Sequence, residues 1–204
     1  MDTYDIKKQH RNLYAPRPGE ITIVDVPELT YLCVDGHGNP NTAESYRHAL
    51  EALYAVSYAV RFAAKRQLGR VHVVAPLEGL WWADDLSTFS VRAKDEWQWT
   101  MMIHQPDYVT ADMVDAATQA AAKKKPNPAL DLLRLERFNE GLSVQALHIG
   151  PYDDEAPLIA RMHQHAAENE YILSGKHHEI YLSDPRRTAP AKLKTILRQP
   201  VRPA

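Results

Sequence analysis

The sequence predicts an α+β domain with an antiparallel sheet and its helices on one face. Two observations carry that expectation. A strand, a glycine-containing turn, a long helix and two further strands follow one another twice along the chain, and both final strands close on the same dipeptide, Gln105-Pro106 and Gln199-Pro200. A duplicated β-α-β-β unit of this kind gives a pseudo-two-fold arrangement whose helix-free face leaves a ligand pocket between the repeats. The expected division is a lead-in over residues 1–20, a first repeat over 21–125 and a second over 141–204. With 204 residues and 45% apolar content the chain suffices for one domain with a full core.

Each element has its own signal. The polar lead-in, with Pro16 and Pro18, reads as an extended wrap. Ile21–Val26 and Thr30–Val34 have strand length and apolar character, with Pro27 between them and Asp35-Gly-His-Gly-Asn-Pro40 after them. Asn41 with Glu44 forms a capping-box pattern for an amphipathic helix to about Arg66, where Tyr46, Leu50, Leu53, Ser57 and Val60 recur at helical spacing. Arg70–Ala75 and Leu77–Trp82 read as strand around Pro76, and Glu96–His104 as the next strand. Ala111–Lys123 is a helix whose lysines suit its C-terminus, and a shorter helical segment spans Leu130 to Glu136. Leu142–Ile149, a turn at Gly150, a helix from Glu155 to Asn169, and strands His178–Leu182 and Leu193–Arg198 complete the second unit.

Composition excludes several classes. The net charge is -2, with 24 basic residues scattered among 26 acidic ones, so no footprint for a phosphate backbone is present and nucleic acid is not an expected partner. Met1–Arg11 lacks a signal-peptide core, and no stretch reaches the ~18 apolar residues of a membrane span. A cytoplasmic protein without membrane contact is the expectation. Cys33 is the sole cysteine, set among apolar residues as an inert buried thiol. The ten histidines offer no convergent ligand set: His163 and His165 are two apart on a helix, and His177 and His178 point to opposite faces of a strand. No metal and no cofactor is expected, and no phosphate loop, dinucleotide fingerprint or nucleophile elbow is present.

The site expectation rests on strand alternation. In His177–Leu182, Ile180 and Leu182 point one way and His177, Glu179 and Tyr181 the other, so helices covering the apolar side leave Glu179 beside Tyr181 on the opposite face. An isolated glutamate there is simply solvated. All four tryptophans, however, fall on two neighbouring predicted strands: Trp81 and Trp82 follow Glu78, and Trp97 and Trp99 share one side. Indole faces stack on flat rings and attract cations, each contact contributing up to about 2 kcal/mol when desolvated. In His148-Ile-Gly-Pro-Tyr-Asp-Asp-Glu155 the strand-to-helix turn places Tyr152 and Glu155 at the rim of a central cavity, while Asp153 and Asp154 serve as caps. The expected ligand is a flat aromatic or cationic small molecule, and the leading expectation is that the pocket sequesters or senses it.

Asn12-Leu-Tyr14, Asp35–Asn41, Pro76–Trp82, His148–Glu155 and His177–Arg186, in this order, resemble the GyrI-like small-molecule-binding proteins in their stand-alone branch. The resemblance implies the duplicated β-α-β-β fold (SHS2-type) shared with the ligand domains of multidrug-sensing regulators. It also implies a glutamate on a C-terminal strand that meets cationic aromatic ligands, the position of Glu179. Some stand-alone members are cyclopropanoid cyclopropyl hydrolases, which open the strained ring of DNA-alkylating natural products and so detoxify them. Hydrolysis is thus an extension of the leading expectation of sequestration or sensing. By that likeness Glu179 is the base and Tyr152 or Tyr181 the donor to the developing phenolate, with Trp81, Trp82 and Trp99 as walls. Glu78, His148, Glu155 and Tyr181 complete the expected ligand-binding set. The rival reading from another class is a protein-interaction module, a gyrase-inhibitor-like protein without turnover, against which stands the lack of an exposed apolar stripe.

Overall fold

The computed structural model describes residues 3–83 and 94–204. Among them seven strands are paired antiparallel: β1 (Ile21–His37), β2 (Leu77–Trp82), β3 (Gln98–Gln105), β4 (Arg134–Ile149), β5 (Tyr171–Leu173), β6 (His177–Tyr181) and β7 (Lys194–Pro203). The order β4-β1-β3-β2-β6-β7 is closed by a further ladder between β4 and β7, so six strands form a ring with an inner and an outer face. The short β5 pairs only with the end of β7. Closure leaves these six strands with partners on both sides, which removes the exposed edges that an open antiparallel sheet must protect.

The three longer helices lie on the outer side of the ring. α3 (Glu44–Leu68) ends where Gly69 takes the left-handed conformation. It buries Leu53, Val56 and Val60 and meets Trp81 and Trp99 through Tyr46. α4 (Ala111–Lys124) is capped by Thr110, whose hydroxyl accepts from the Met113 amide, and packs on α3. α5 (Ala156–Glu168) buries Met162 and Ala166 against Val144, Ala146 and Leu197. Two four-residue helical turns, α1 (Ile6–Gln9) and α2 (Arg11–Tyr14), precede β1.

Several expectations are corrected. Pro27 does not divide β1, which runs unbroken for 17 residues. The Ile21–Val26 part pairs only with β4, residues 30–33 with both β4 and β3 and residues 34–37 with β3 alone, so Pro27 sits where the β3 ladder has not begun. Residues 70–75 form no strand beyond a bridge between Tyr4 and His72. Residues 128–132 make a 3₁₀ turn rather than a helix, and β4 begins at Arg134. The lead-in is not extended: Leu13 and Tyr14 are buried.

The free-face assumption is the largest correction. Residues opposite one another across a ladder project to the same side. Glu179 lies opposite Gly79 and Leu197, and Leu197 opposite Ala146 beneath α5, which puts Glu179 on the helix-bearing face. Ile180, opposite Glu78 and Ile196, points into the ring. In a closed ring both faces of a strand are buried, so the apolar side need not be the one under the helices.

The ring interior holds an ion network. His178 sits between two carboxylates, Nε2 at 3.0 Å from Glu78 Oε2 and Nδ1 at 2.9 Å from Glu140 Oε1. Arg198 donates to Glu140 Oε2 at 3.0 Å, to Gln145 and to the Leu13 carbonyl. Tyr14 donates its hydroxyl to Glu78 at 2.7 Å, and Gln145 donates to the Asn12 carbonyl. Residues 12–14 are thereby fastened to β2, β4 and β7. Two carboxylates, one guanidinium and one imidazolium balance in charge, which is the condition for burying them.

Candidate ligand-binding site

On the outer face, between α3 and the start of α5, β6 presents Glu179 with its side chain 14% exposed. Tyr181, two residues on, projects to the same side and donates its hydroxyl to Glu179 Oε2 at 2.7 Å. The Tyr181 hydroxyl oxygen in turn accepts the indole N–H of Trp81 at 3.0 Å. His177 Nε2 stands 3.5 Å from Glu179 Oε1. The β2 position opposite Glu179 is Gly79, where a Cβ would stand 2.8 Å from Trp81 Nε1, so only glycine lets the indole reach Tyr181.

Aromatic rings surround this carboxylate. Trp97 meets Trp81 edge-on at 5.6 Å between centroids, and Tyr46 from α3 leans on Trp81 at 6.1 Å and on Trp99 at 5.2 Å. Tyr152 sits on a 3₁₀ turn, Tyr152–Asp154, and meets the Tyr181 ring edge-on at 5.8 Å. Burial, with the charge of Glu155 and then Glu179, pushes the Tyr152 hydroxyl up to about 12; burial, then Glu179, pushes that of Tyr46 well above the ordinary phenol range. Phenols this weak in acidity remain hydrogen-bond donors at neutral pH. Glu155, 5% exposed, ends the same turn, and burial and then the charge of Glu179 push its carboxyl up to about 9.

His148 is built into this turn. Its Nε2 lies 2.9 Å from the Pro151 carbonyl, which can only accept, so that nitrogen carries the proton. Gly150, at φ +145°, sits where an added Cβ would stand 3.2 Å from the same nitrogen. Lys94 closes the outer side, paired with Asp153 at 3.1 Å and 5.8 Å from the Trp97 ring centre.

The structure thus brings Glu179, Tyr181, Trp81, Tyr152, Glu155 and His148 together and adds Tyr46 and Trp97. Other expected residues lie elsewhere. Glu78 is fully buried inside the ring, held by Tyr14 and His178. Trp82 carries the Lys176 ammonium 3.2 Å from its ring centre. Alternation along β2 separates both from the Trp81 side. Trp99 belongs to the Trp81 side but is 1% exposed, behind Tyr46, with its N–H donated to the Gly38 carbonyl at 3.3 Å. A cleft of about 270 Å³ lies apart, between α3 and α4, with Ala52, Ala55, Ala59, Ala120 and Ala121 in its walls.

Fold and comparison together define the class: a small-molecule-binding α+β domain. The chain belongs to the GyrI-like family, since the model of the GyrI-like small molecule binding domain matches residues 19–202. Among solved structures, a conserved protein from Listeria innocua described as uncharacterized is 40% identical, with a TM-score of 0.91 over 98% of this chain and 100% of that one. A hydrolase from the same organism is 38% identical, with a TM-score of 0.89 over the same shares. The EcmrR C-terminal domain, 12% identical with a TM-score of 0.58 over 91% of this chain and 98% of that one, shares the fold. No curated protein matches the sequence. No helix of the described residues is long and apolar enough to cross a membrane.

Proposed function

We propose that the chain takes flat aromatic small molecules at the cluster around Glu179 and adds water to them, the substrate class being cyclopropanoid genotoxins whose strained ring is opened and which are thereby detoxified. The observation that carries the reading is a shielded carboxylate with one oxygen oriented by Tyr181, set among the rings of Trp81, Tyr152 and Tyr46. The Listeria structure described as a hydrolase, similar over nearly the whole chain, supports turnover rather than storage alone.

Glu179 takes the proton of a water as its oxygen bonds to the ring carbon. Tyr181 keeps the carboxylate aimed and is itself committed to it and to Trp81. Tyr152 donates a hydrogen bond to the oxygen that gains charge. A strained electrophile asks little of its catalyst, and a positioned base contributes a factor on the order of a hundred to ten thousand.

The test is incubation with a duocarmycin-type cyclopropanoid and mass analysis of the product. The expected result is addition of one water by the wild type, and its loss in Glu179→Gln with binding retained. Binding without turnover in the wild type would make the protein a sink. No binding, with a stable protein partner recovered instead, would favour an interaction module.

A further inference from the structure

The cluster contains a second carboxyl whose situation no packing argument explains. Glu155 immediately precedes α5, where an acidic side chain ordinarily accepts hydrogen bonds from the free amides of the first turn. Its side chain makes no such bond. Instead it turns inward to 5% exposure, and its buried Oε1 has no hydrogen-bond partner. An anion left this way is costly, whereas a neutral carboxylic acid has a proton to offer and needs little solvation.

The position is tied to Glu179 through a short chain of contacts. The Glu155 amide donates to the Tyr152 carbonyl at 3.2 Å, Tyr152 meets Tyr181 ring to ring, and Tyr181 donates to Glu179. Thr195, opposite Tyr181 on β7 and fully buried, neighbours the Glu155 carboxyl.

We infer that Glu155 and Glu179 act as an acid–base pair sharing one proton, Glu179 as the base toward water and Glu155 as the acid that protonates the oxygen released by ring opening. The inference rests on the hydrolytic reading above. The step balances with water alone. The water oxygen bonds to the cyclopropane carbon while its proton passes to Glu179. The carbon–carbon bond of the ring breaks, its electron pair passes through the conjugated ring to the carbonyl oxygen, and that oxygen takes the proton of Glu155 to become a phenol. Glu179 is then the acid and Glu155 the carboxylate, and transfer of one proton between them restores the start.

Acidity matching favours Glu155 over either tyrosine for the second transfer. A phenol has an ordinary pKa of about 10. A donor near that value transfers its proton readily, as a carboxyl pushed up to about 9 does and a tyrosine pushed up to about 12 does not. Burial and the charge of Glu179 raise Glu155, Asp153 adds to the rise, and Thr195 and Lys94 oppose it. The other titratable groups around the pair are Tyr152 on the same turn, His177 and Tyr181 on β6, Tyr46 and Tyr54 on α3, and His163 on α5 facing His177.

The test compares the wild type, Glu155→Gln and Glu179→Gln on a duocarmycin-type cyclopropanoid across pH. In the wild type kcat/KM falls as pH rises through about 9, where Glu155 loses its proton. Glu155→Gln keeps the shape and a hydrogen-bond donor but has no proton to transfer. It should lose a factor on the order of a hundred, lack that alkaline fall, and lose less on analogues whose product phenol is more acidic. Wild-type turnover in Glu155→Gln, or an unchanged alkaline fall, would overturn the pair while leaving the hydrolytic reading standing. Absence of turnover in the wild type would overturn the hydrolytic reading. Infrared spectroscopy near neutral pH then tests the shared proton independently: a protonated carboxyl band present in the wild type and Glu179→Gln but absent in Glu155→Gln supports it, and no such band in the wild type overturns it.

Discussion

The Tyr181 hydroxyl donates to Glu179 at 2.7 Å while accepting the Trp81 indole N–H at 3.0 Å. One hydroxyl thereby links strands β2 and β6 and fixes the side chain on which the proposed chemistry depends. Tyr181→Phe deletes both bonds and keeps the ring. A hydrogen bond to a charged group contributes about 1.5–3 kcal/mol, so kcat/KM toward a cyclopropanoid should fall roughly 10- to 100-fold. Equal activity per folded molecule would remove Tyr181 from the mechanism.

The tryptophan wall depends on Gly36. A Cβ at that position would occupy the space of the Trp99 ring, whose atoms cannot retreat because Tyr46 stands behind them. Overpacking of this kind costs about 1–3 kcal/mol. Gly36→Ala should therefore lower Tm by several degrees in a thermal melt and shift tryptophan emission as Trp99 loses its bond to the Gly38 carbonyl.

The ring interior makes a separate prediction about stability. Glu140→Gln leaves Arg198 and His178 short of an anion, both fully buried, and breaking one member of a buried ion network costs about 3–5 kcal/mol. Urea unfolding should show that loss as a lower midpoint at constant slope. The pH dependence has two limbs. His178, although burial alone would lower it, is raised to about 9 by Glu140 and Glu78, so its contribution is complete below about 6.5 and disappears as pH rises through 9. Glu140, which burial alone would raise, is lowered to about 2 by His178 and Arg198; its contribution is complete above about 4.5 and is lost as pH falls through 2. Stability from this network should be greatest between about pH 4.5 and 6.5. A denaturant midpoint that rises steadily from pH 6.5 to 9 would contradict the assignment for His178.

Much of this architecture is legible in the sequence. The period of two in β6 puts Glu179 and Tyr181 on one side, and the spacing of Trp97 and Trp99 puts both near Trp81. What alternation does not reveal is which side a closed ring turns inward, because closure depends on β4 pairing with β7, a contact some 50 residues apart that no local pattern encodes. The interior network is hidden for the same reason. Glu140 sits in Asn139-Glu140-Gly141, which reads as a turn, yet the strand continues through it. Arg198 carries the one usable signal: a cation in the apolar run Thr195–Val201 needs a buried anion. Tyr46, read from helical periodicity as core, reaches the site because the first turn of α3 lies over Trp81.

His148 supplies the last prediction. It touches none of the expected reacting atoms, but its Nε2–H holds the Pro151 carbonyl at 2.9 Å, and the turn that starts there carries both Tyr152 and Glu155. It is a positioning residue, and the close approach of Gly150 to the same nitrogen shows how tightly the turn is folded onto it. His148→Ala should release the turn at a stability cost of about 0.5–1.5 kcal/mol, the ordinary net worth of one hydrogen bond. Activity should suffer more, by about tenfold or greater in kcat with a smaller change in KM, because misplacing a proton donor affects the transition state more than ground-state binding. His148→Gln, which retains an N–H of similar reach, should recover part of the loss. Measured side by side with thermal melts, a fall in kcat that merely follows the fraction of folded protein would reduce His148 to a packing residue.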